Sequence, residues 1–316
     1  MFELFVLAVL IVIAALLAWL GRRAWRAKNS FMKWGGTSLA ALLSAALASL
    51  SVILIVGLFK LNDRRAPTPV LKVAGTSEQI QRGKAISDGF CSACHSKSGT
   101  LTGGLDIGED FPVPIGSFVS ANLTPIGQLS RWSDGDIFRA IRNSVAPDGR
   151  WLIIMSYTNA GKLSDEDIRA VIAYIRGVPA TGKPTDDQPD HLNLLGITML
   201  GAGMLPRGNP VSIDPITAPP ASSTSRYGEY ILSYQDCRAC HGPKLTGGVP
   251  GQLGPLGPDL NLVKGWKLEE FVVTMRTGVD PIGHELSKQM PWRPIGRMSD
   301  EELGAVYQYL THLPNS

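Results

Sequence analysis

Four cysteines stand in this chain of 316 residues, and they form two pairs of equal spacing, each followed at once by histidine: Cys91-Ser92-Ala93-Cys94-His95 and Cys237-Arg238-Ala239-Cys240-His241. A CxxC pair alone suits a redox dithiol or half of a zinc site. The first would call for a strand–turn–helix setting, and the second would more often bring a histidine pair of its own. The adjoining histidine points to other chemistry. Two thiols two residues apart can reach the two vinyl groups on one edge of a porphyrin, and the histidine can then place a ring nitrogen on the iron. The spacing therefore predicts two covalently held haems, attached through Cys91, Cys94, Cys237 and Cys240, with His95 and His241 as proximal ligands.

The second axial position decides between ligand chemistry and electron transfer. Met155 is the only methionine between His95 and the inter-domain linker, and Met290 stands at the matching place after His241. A thioether is a soft ligand that favours ferrous iron and raises the potential, so Met155 and Met290 are the expected sixth ligands. Met275 and Met298 align with Ile141 and Leu163 and read as core. His191 and His284 lack counterparts in the other copy and read as polar surface residues.

The elements that must position these groups are read from a repeat. The first copy runs from Gly83 through the haem motif to Leu101-Thr-Gly-Gly104, Trp132, Phe138-Arg-Ala-Ile-Arg142, Met155, Ser164-Asp165 and Tyr174 to Pro179. The second runs from Gly228 through its motif to Leu245-Thr-Gly-Gly248, Trp266, Val272-Val-Thr-Met-Arg276, Met290, Ser299-Asp300 and Tyr309 to Pro314. Each copy reads as helical: a first helix over 77–90 or 226–236 leading into the motif, a middle helix over 132–145 or 266–279, and a last helix. The last helix opens on serine with acid three residues on, and it stops at Pro179 or Pro314. The loops between are rich in Gly and Pro, with a haem available as their core. The expected domains are 76–180 and 226–316, joined by a linker over 181–225. Within that linker 192–205 is apolar yet too short to span a bilayer, so it is expected to pack between the haem domains or on the membrane surface.

Ahead of the repeat, residues 4–20 and 34–59 are apolar and free of charge. They predict a transmembrane hairpin over 1–62, with spans at about 4–20 and 36–59. No basic stretch precedes the first run and Glu3 stands in its place, so it reads as a span rather than a cleaved leader. The intervening loop carries Arg22, Arg23, Arg26, Lys28 and Lys33 with no acid, which places it in the cytoplasm and both termini on the extracytoplasmic face. The basic excess lies beside these spans, with +6 over residues 1–65 and −3 over the remainder; that is a topology signal and argues against nucleic acid as a partner. Small residues on the second span (Ala41, Ser44, Ala45, Ala48, Ser49) suit close packing against the first span, or against another membrane subunit.

At the haem motifs, at Asn122-Leu-Thr-Pro125, Trp132-Ser-Asp134, Asp148-Gly-Arg150 and Met155, and at Leu163-Ser-Asp-Glu-Asp167, residues 76–316 resemble class I cytochromes c in tandem dihaem form. The pattern is most similar to the cytochrome subunits of membrane-bound alcohol and gluconate dehydrogenases. The resemblance implies an all-α fold of two class I cytochrome c domains behind the hairpin. It implies haem attachment on the periplasmic side of a bacterial inner membrane, in agreement with the charge of the loop. It also implies that Asn122, Trp132 and the aligned Trp266 lie near the haem edges. The chain departs from those subunits in having two haem domains where three are usual, and in its N-terminal hairpin. The expected function is an electron relay without substrate chemistry, anchored in the bilayer and working with a dehydrogenase, a quinol-oxidising complex, an oxidase or a reaction centre. The competing expectation is a dihaem enzyme, such as a peroxidase or a thiosulfate-oxidising cytochrome.

Overall fold

The two apolar runs have no charged group to interrupt them, and they form two long helices. These are α1 (Phe2–Ala24) and, continuing from a π-helical turn at Met32–Gly36, α2 (Thr37–Asn62). At 1.5 Å per residue they reach about 35 and 39 Å, long and apolar enough to cross a hydrocarbon core. The chain, a computed structural model describing residues 2–97, 99–184, 190–252 and 254–313, then continues as short helices. In order these are α3 (Ser77–Ile86), α4 (Ser92–His95), α5 (Asp134–Asn143), α6 (Ile153–Tyr157) and α7 (Asp165–Gly177). After them come α8 (Leu194–Gly201), α9 (Ser225–Tyr234), α10 (Cys237–His241), α11 (Leu268–Thr277), α12 (Trp292–Ile295) and α13 (Asp300–Thr311). The only named strands among the described residues, β1 (Gly116–Ser117) and β2 (His191–Leu192), pair antiparallel.

One compact unit gathers 1–64, 108–117 and 191–207. Here α1 and α2 lie together, with Ser44 Oγ donating to the Ala14 carbonyl at 2.8 Å. A Cβ at Gly21 would come 3.2 Å from that of Ala40. Ala41, Ala45, Ala48 and Ser49 are exposed. The apolar stretch expected over 192–205 is α8, and it packs on α2 backbone to backbone. A Cβ at Gly57 would sit 2.1 Å from the Ile197 carbonyl oxygen, and one at Gly201 would sit 2.0 Å from that of Ile53. Lys60 Nζ donates to the Leu200 and Gly201 carbonyls at 2.9 and 3.4 Å, where the C-terminal end of α8 attracts a cation. The hairpin is therefore a three-helix unit, because a largely apolar eight-residue helix gains more on an apolar partner than in a linker.

The second unit gathers 65–107, 118–190 and 208–316 and holds both copies of the repeat. In each copy the first and last helices cross at a glycine. A Cβ at Gly83 would lie 1.8 Å from the Ala170 carbonyl oxygen, and one at Gly228 would lie 1.9 Å from that of Ala305. The middle helix is tied to the last by the same arginine: Arg142 Nη2 reaches Asp165 Oδ1 at 2.6 Å, and Arg276 Nη2 reaches Asp300 Oδ1 at 2.8 Å. One continuous core serves both copies, including Ile86, Leu163 and Ile168 of the first and Tyr230, Leu303 and Leu310 of the second.

Helix limits differ from the sequence expectation for identifiable reasons. The middle helices begin at Asp134 and Leu268 rather than at the tryptophans, because Ser133 and Lys267 take extended N-cap positions. They end before Val145 and Val279 because Ser144 and Gly278 turn left-handed, at φ 55 and φ 75. The helix expected over 226–236 stops at Tyr234, since Gln235 turns extended and its side chain donates to the Gly89 carbonyl at 3.2 Å. The last helices start as expected, with Ser164 and Ser299 each accepting from the amide three residues on at 3.1 Å. Pro314, expected to end α13, lies outside the described residues.

Candidate haem-binding sites

In the first copy α3 does not stop before the motif. A π-helical turn at Ser87–Cys91 carries it into α4, so one helical segment delivers Cys91, Cys94 and His95; such turns recur at functional sites. Beyond it Leu101 takes a left-handed φ of 54 while almost fully buried, and Leu245 does the same at φ 62 in the second copy. Those two turns return the chain toward its histidine, with Gly103 N–H donating to the His95 carbonyl at 2.8 Å and Gly247 N–H to that of His241 at 3.1 Å.

Both histidines are oriented in the same way. His95 Nδ1 lies 2.8 Å from the Ala121 carbonyl, and His241 Nδ1 lies 2.8 Å from that of Pro258. An Nδ1–H donor in these bonds leaves Nε2 as the basic nitrogen, the tautomer a metal ligand requires. Burial lowers the His95 pKa against the opposing pull of the Ala121 carbonyl, which keeps the ring neutral. Burial also pushes Cys91 and Cys237 up to about 12 and Cys94 up to about 11. Thiols so raised are the reverse of the low-pKa sulfurs of dithiol redox centres.

Cys91, Cys94 and His95 line an apolar cleft together with Trp132 and Met155, while Leu129, Ile141 and Val171 supply part of its wall. Met155 reaches it from α6. The cleft adjoins a polar pocket, and Gln128, Trp132 and Arg150 border both. Asn122 is fully buried but is not among the residues lining the cleft; its flanking residues Ala121 and Leu123 are. Its amide instead donates to the Thr181 and Lys183 carbonyls at 2.9 and 3.0 Å, and its Oδ1 accepts from Thr124 N–H at 2.8 Å.

In the second copy His241 is 5% exposed, and Gly257 is required beside it, since a Cβ there would come 2.7 Å from the ring. A Cβ at Gly254 would come 3.1 Å from Cys240 Sγ. Met290 and Trp266 are half-buried and pack against the shared core. Gly278 lies so close to the Trp292 ring, two residues after Met290, that a Cβ would be 2.4 Å away. His191 and His284 are exposed, the first in β2 and the second beside Asp280. Sequence reasoning passed over Asp236, which comes from the second copy yet lines the first copy's cleft. The available signal was a break in the repeat, with Asp236 before Cys237 where Phe90 precedes Cys91.

Residues 80–179 match the family model described as cytochrome c, and residues 226–310 match that of cytochrome c oxidase, cbb3-type, subunit III. The chain is 30% identical over 279 residues to the cytochrome c subunit of alcohol dehydrogenase (quinone) from Gluconacetobacter polyoxogenes, covering 75% of this chain and 56% of the relative. It is 23% identical over 308 residues to the fructose dehydrogenase cytochrome subunit of Gluconobacter japonicus, covering 85% and 59%. It is 29% identical over 246 residues to one of the subunits of nicotinate dehydrogenase from Pseudomonas putida, covering 74% and 20%. The chain thus spans from a fifth to three fifths of these relatives. Its two helical copies are cytochrome c domains, and the tandem resembles the cytochrome c subunits of alcohol and fructose dehydrogenases.

Proposed function

We propose that this chain is a membrane-anchored dihaem electron relay, serving as the cytochrome component of a dehydrogenase on the periplasmic face of a bacterial inner membrane. The observation that carries the haem assignment is the repeated proximal arrangement, with motif histidine Nδ1 on a backbone carbonyl at 2.8 Å in both domains. In the first domain it is joined by Met155 in the same cleft. Cys91 and Cys94 would attach one haem and Cys237 and Cys240 the other. His95 with Met155, and His241 with Met290, would close the axial positions. A haem so held supplies one-electron chemistry at raised potential.

The residues of the chain then do three things. The Ala121 and Pro258 carbonyls fix the ring tautomer and orientation. The apolar wall formed by Leu129, Ile141 and Val171 excludes water from the haem face. Arg150, Gln128 and Trp132, at the border with the polar pocket, suit the carboxylates of a porphyrin edge. With a methionine ready for each iron, the domains relay electrons and perform no substrate chemistry.

Membrane anchoring is supported by the length and apolarity of α1 and α2. Basic residues and tryptophans at the end of α1 and just after it add to this: Lys33 Nζ stands 4.7 Å over the Trp25 ring, and the Arg23 guanidinium stands 5.6 Å over that of Trp19. Such residues anchor a span at the interface and mark its cytoplasmic end. A dehydrogenase partner is supported by the relatives, which are cytochrome subunits of alcohol and fructose dehydrogenases.

Purification in mild detergent with haem staining and mass spectrometry tests the assignment: two haem masses on the polypeptide, co-isolation with a flavin- or quinone-dependent subunit, and no reaction with peroxide are expected. A single haem mass, or peroxide turnover, overturns it. Met155→Leu and Met290→Leu are each expected to change the spectrum and lower one midpoint potential.

A further inference from the structure

The two haem motifs are not independent. Their approach segments pack against each other within one unit. Phe90, immediately before Cys91, meets Tyr234 edge to face at 5.8 Å between centroids. Gln235 donates to the Gly89 carbonyl at 3.2 Å. The next residue, Asp236, directly precedes Cys237 and lines the cleft of the first domain beside Cys94 and Met155. Its Oδ1 accepts two bonds from Asn159, one from the amide at 2.9 Å and one from the side-chain nitrogen at 2.8 Å, and Asn159 lies four residues after Met155. The aligned position in the first domain is Phe90, so the exchange of carboxylate between the two motifs runs one way.

We infer that Asp236 is an electrostatic tuning residue for the haem of the first domain, lowering its midpoint potential relative to that of the second domain. The inference rests on the haem reading above. A fixed negative charge at the edge of an apolar cleft stabilises ferric over ferrous iron, and it acts strongly because little water screens it. Lys162 is the cation that partly offsets it. The two backbone-and-amide bonds from Asn159 hold the carboxylate in place at the rim, where a solvated aspartate would turn to water.

Asp236→Asn separates charge from geometry, because an amide oxygen can accept both bonds from Asn159. The experiment is a spectroelectrochemical titration at pH 8 of the intact, doubly haem-loaded protein in detergent, comparing wild type with Asp236→Asn, Asp236→Glu and Met155→Leu. Met155→Leu marks the midpoint that belongs to the first domain. Asp236→Asn is expected to raise that midpoint so that electron sharing between the haems shifts about tenfold, or ~59 mV for a one-electron couple. The other midpoint is expected to move by less than a third as much, with the absorption bands unchanged. Asp236→Glu, which keeps the charge, is expected to stay within about twofold of wild type. No shift in Asp236→Asn, equal shifts in both midpoints, or a shift only in the midpoint that Met155→Leu leaves alone overturns the inference. If Met155→Leu moves neither midpoint, the axial-ligand reading fails by itself, and Asp236 is then judged on whether one midpoint responds and the other does not.

Discussion

Arg82 is the natural place to perturb the coupling between the two domains. Its guanidinium binds Asp167 through Nε and Nη2 at 2.7 and 2.9 Å, and it reaches Glu302 of the other domain through Nη1 at 2.6 Å. Asp167 and Glu302 are only 6% and 5% exposed. Tyr230 of the second domain completes the group, donating its hydroxyl to Asp167 Oδ2 at 2.5 Å and accepting from Ser164 N–H at 2.7 Å. Although burial opposes it, the bond and charge of Asp167 hold the Arg82 guanidinium firmly protonated. Replacing Arg82 by methionine keeps much of the packing and leaves two buried carboxylates without their cation. Tyr230 and the Ser299 amide, which donates to Glu302 at 3.0 Å, compensate only in part. Breaking a buried pair in this way costs about 3–5 kcal/mol. Urea unfolding of the intact protein in detergent, followed by haem absorbance, measures it. A loss under about 1 kcal/mol, the range of exposed pairs, would refute the claim that this network is dehydrated.

Other outcomes follow from neighbouring features. Because one core serves both cytochrome domains, haem absorbance and tryptophan fluorescence are expected to report a single unfolding transition; two well-separated midpoints would contradict a shared core. Gly83→Ala and Gly228→Ala each place a methyl within 2 Å of a carbonyl oxygen on the crossing helix, so each is expected to lower stability by about 1–3 kcal/mol or more and to reduce haem-loaded yield. Gly57→Val is expected to release α8 from α2, detectable as faster proteolysis at 202–209, while both haem spectra stay unchanged. Burial raises Asp236 to about 6 from an ordinary 3.8 despite its bonds from Asn159. The stability it contributes is therefore present below pH 3.8 and is lost as pH rises through 6, so Asp236→Asn is expected to stabilise the fold by roughly 1–2 kcal/mol more at pH 8 than at pH 5, read as the difference in urea midpoints.

The proposed haem chemistry was read from the sequence because covalent attachment would demand neighbouring residues: CxxCH is local, and so are the serine caps of α7 and α13 and the apolar runs of α1 and α2. The tandem was legible because two copies of one pattern test each other, and the expectation of two helical cytochrome c domains holds. What lay beyond reach was whatever depends on residues far apart in the chain. Nothing in 192–205 announces that Gly201 meets Ile53 and that Ile197 meets Gly57 on α2, since backbone contact between two helices is a property of the pair. Asn122 carries a familiar pattern, yet its amide is taken up by carbonyls about 60 residues on. Arg82 reads as an ordinary charge on an exposed helix until Asp167 and Glu302 are brought to it. Asp236 shows up in the sequence only as a break in the repeat; its entry into the other domain's cleft is decided by how the two motif helices pack. Spacing along the chain determines which chemistry each copy can hold, because the reacting groups are covalent neighbours. Tertiary structure decides which charges surround it, because burial and pairing at a distance come only with the folded core.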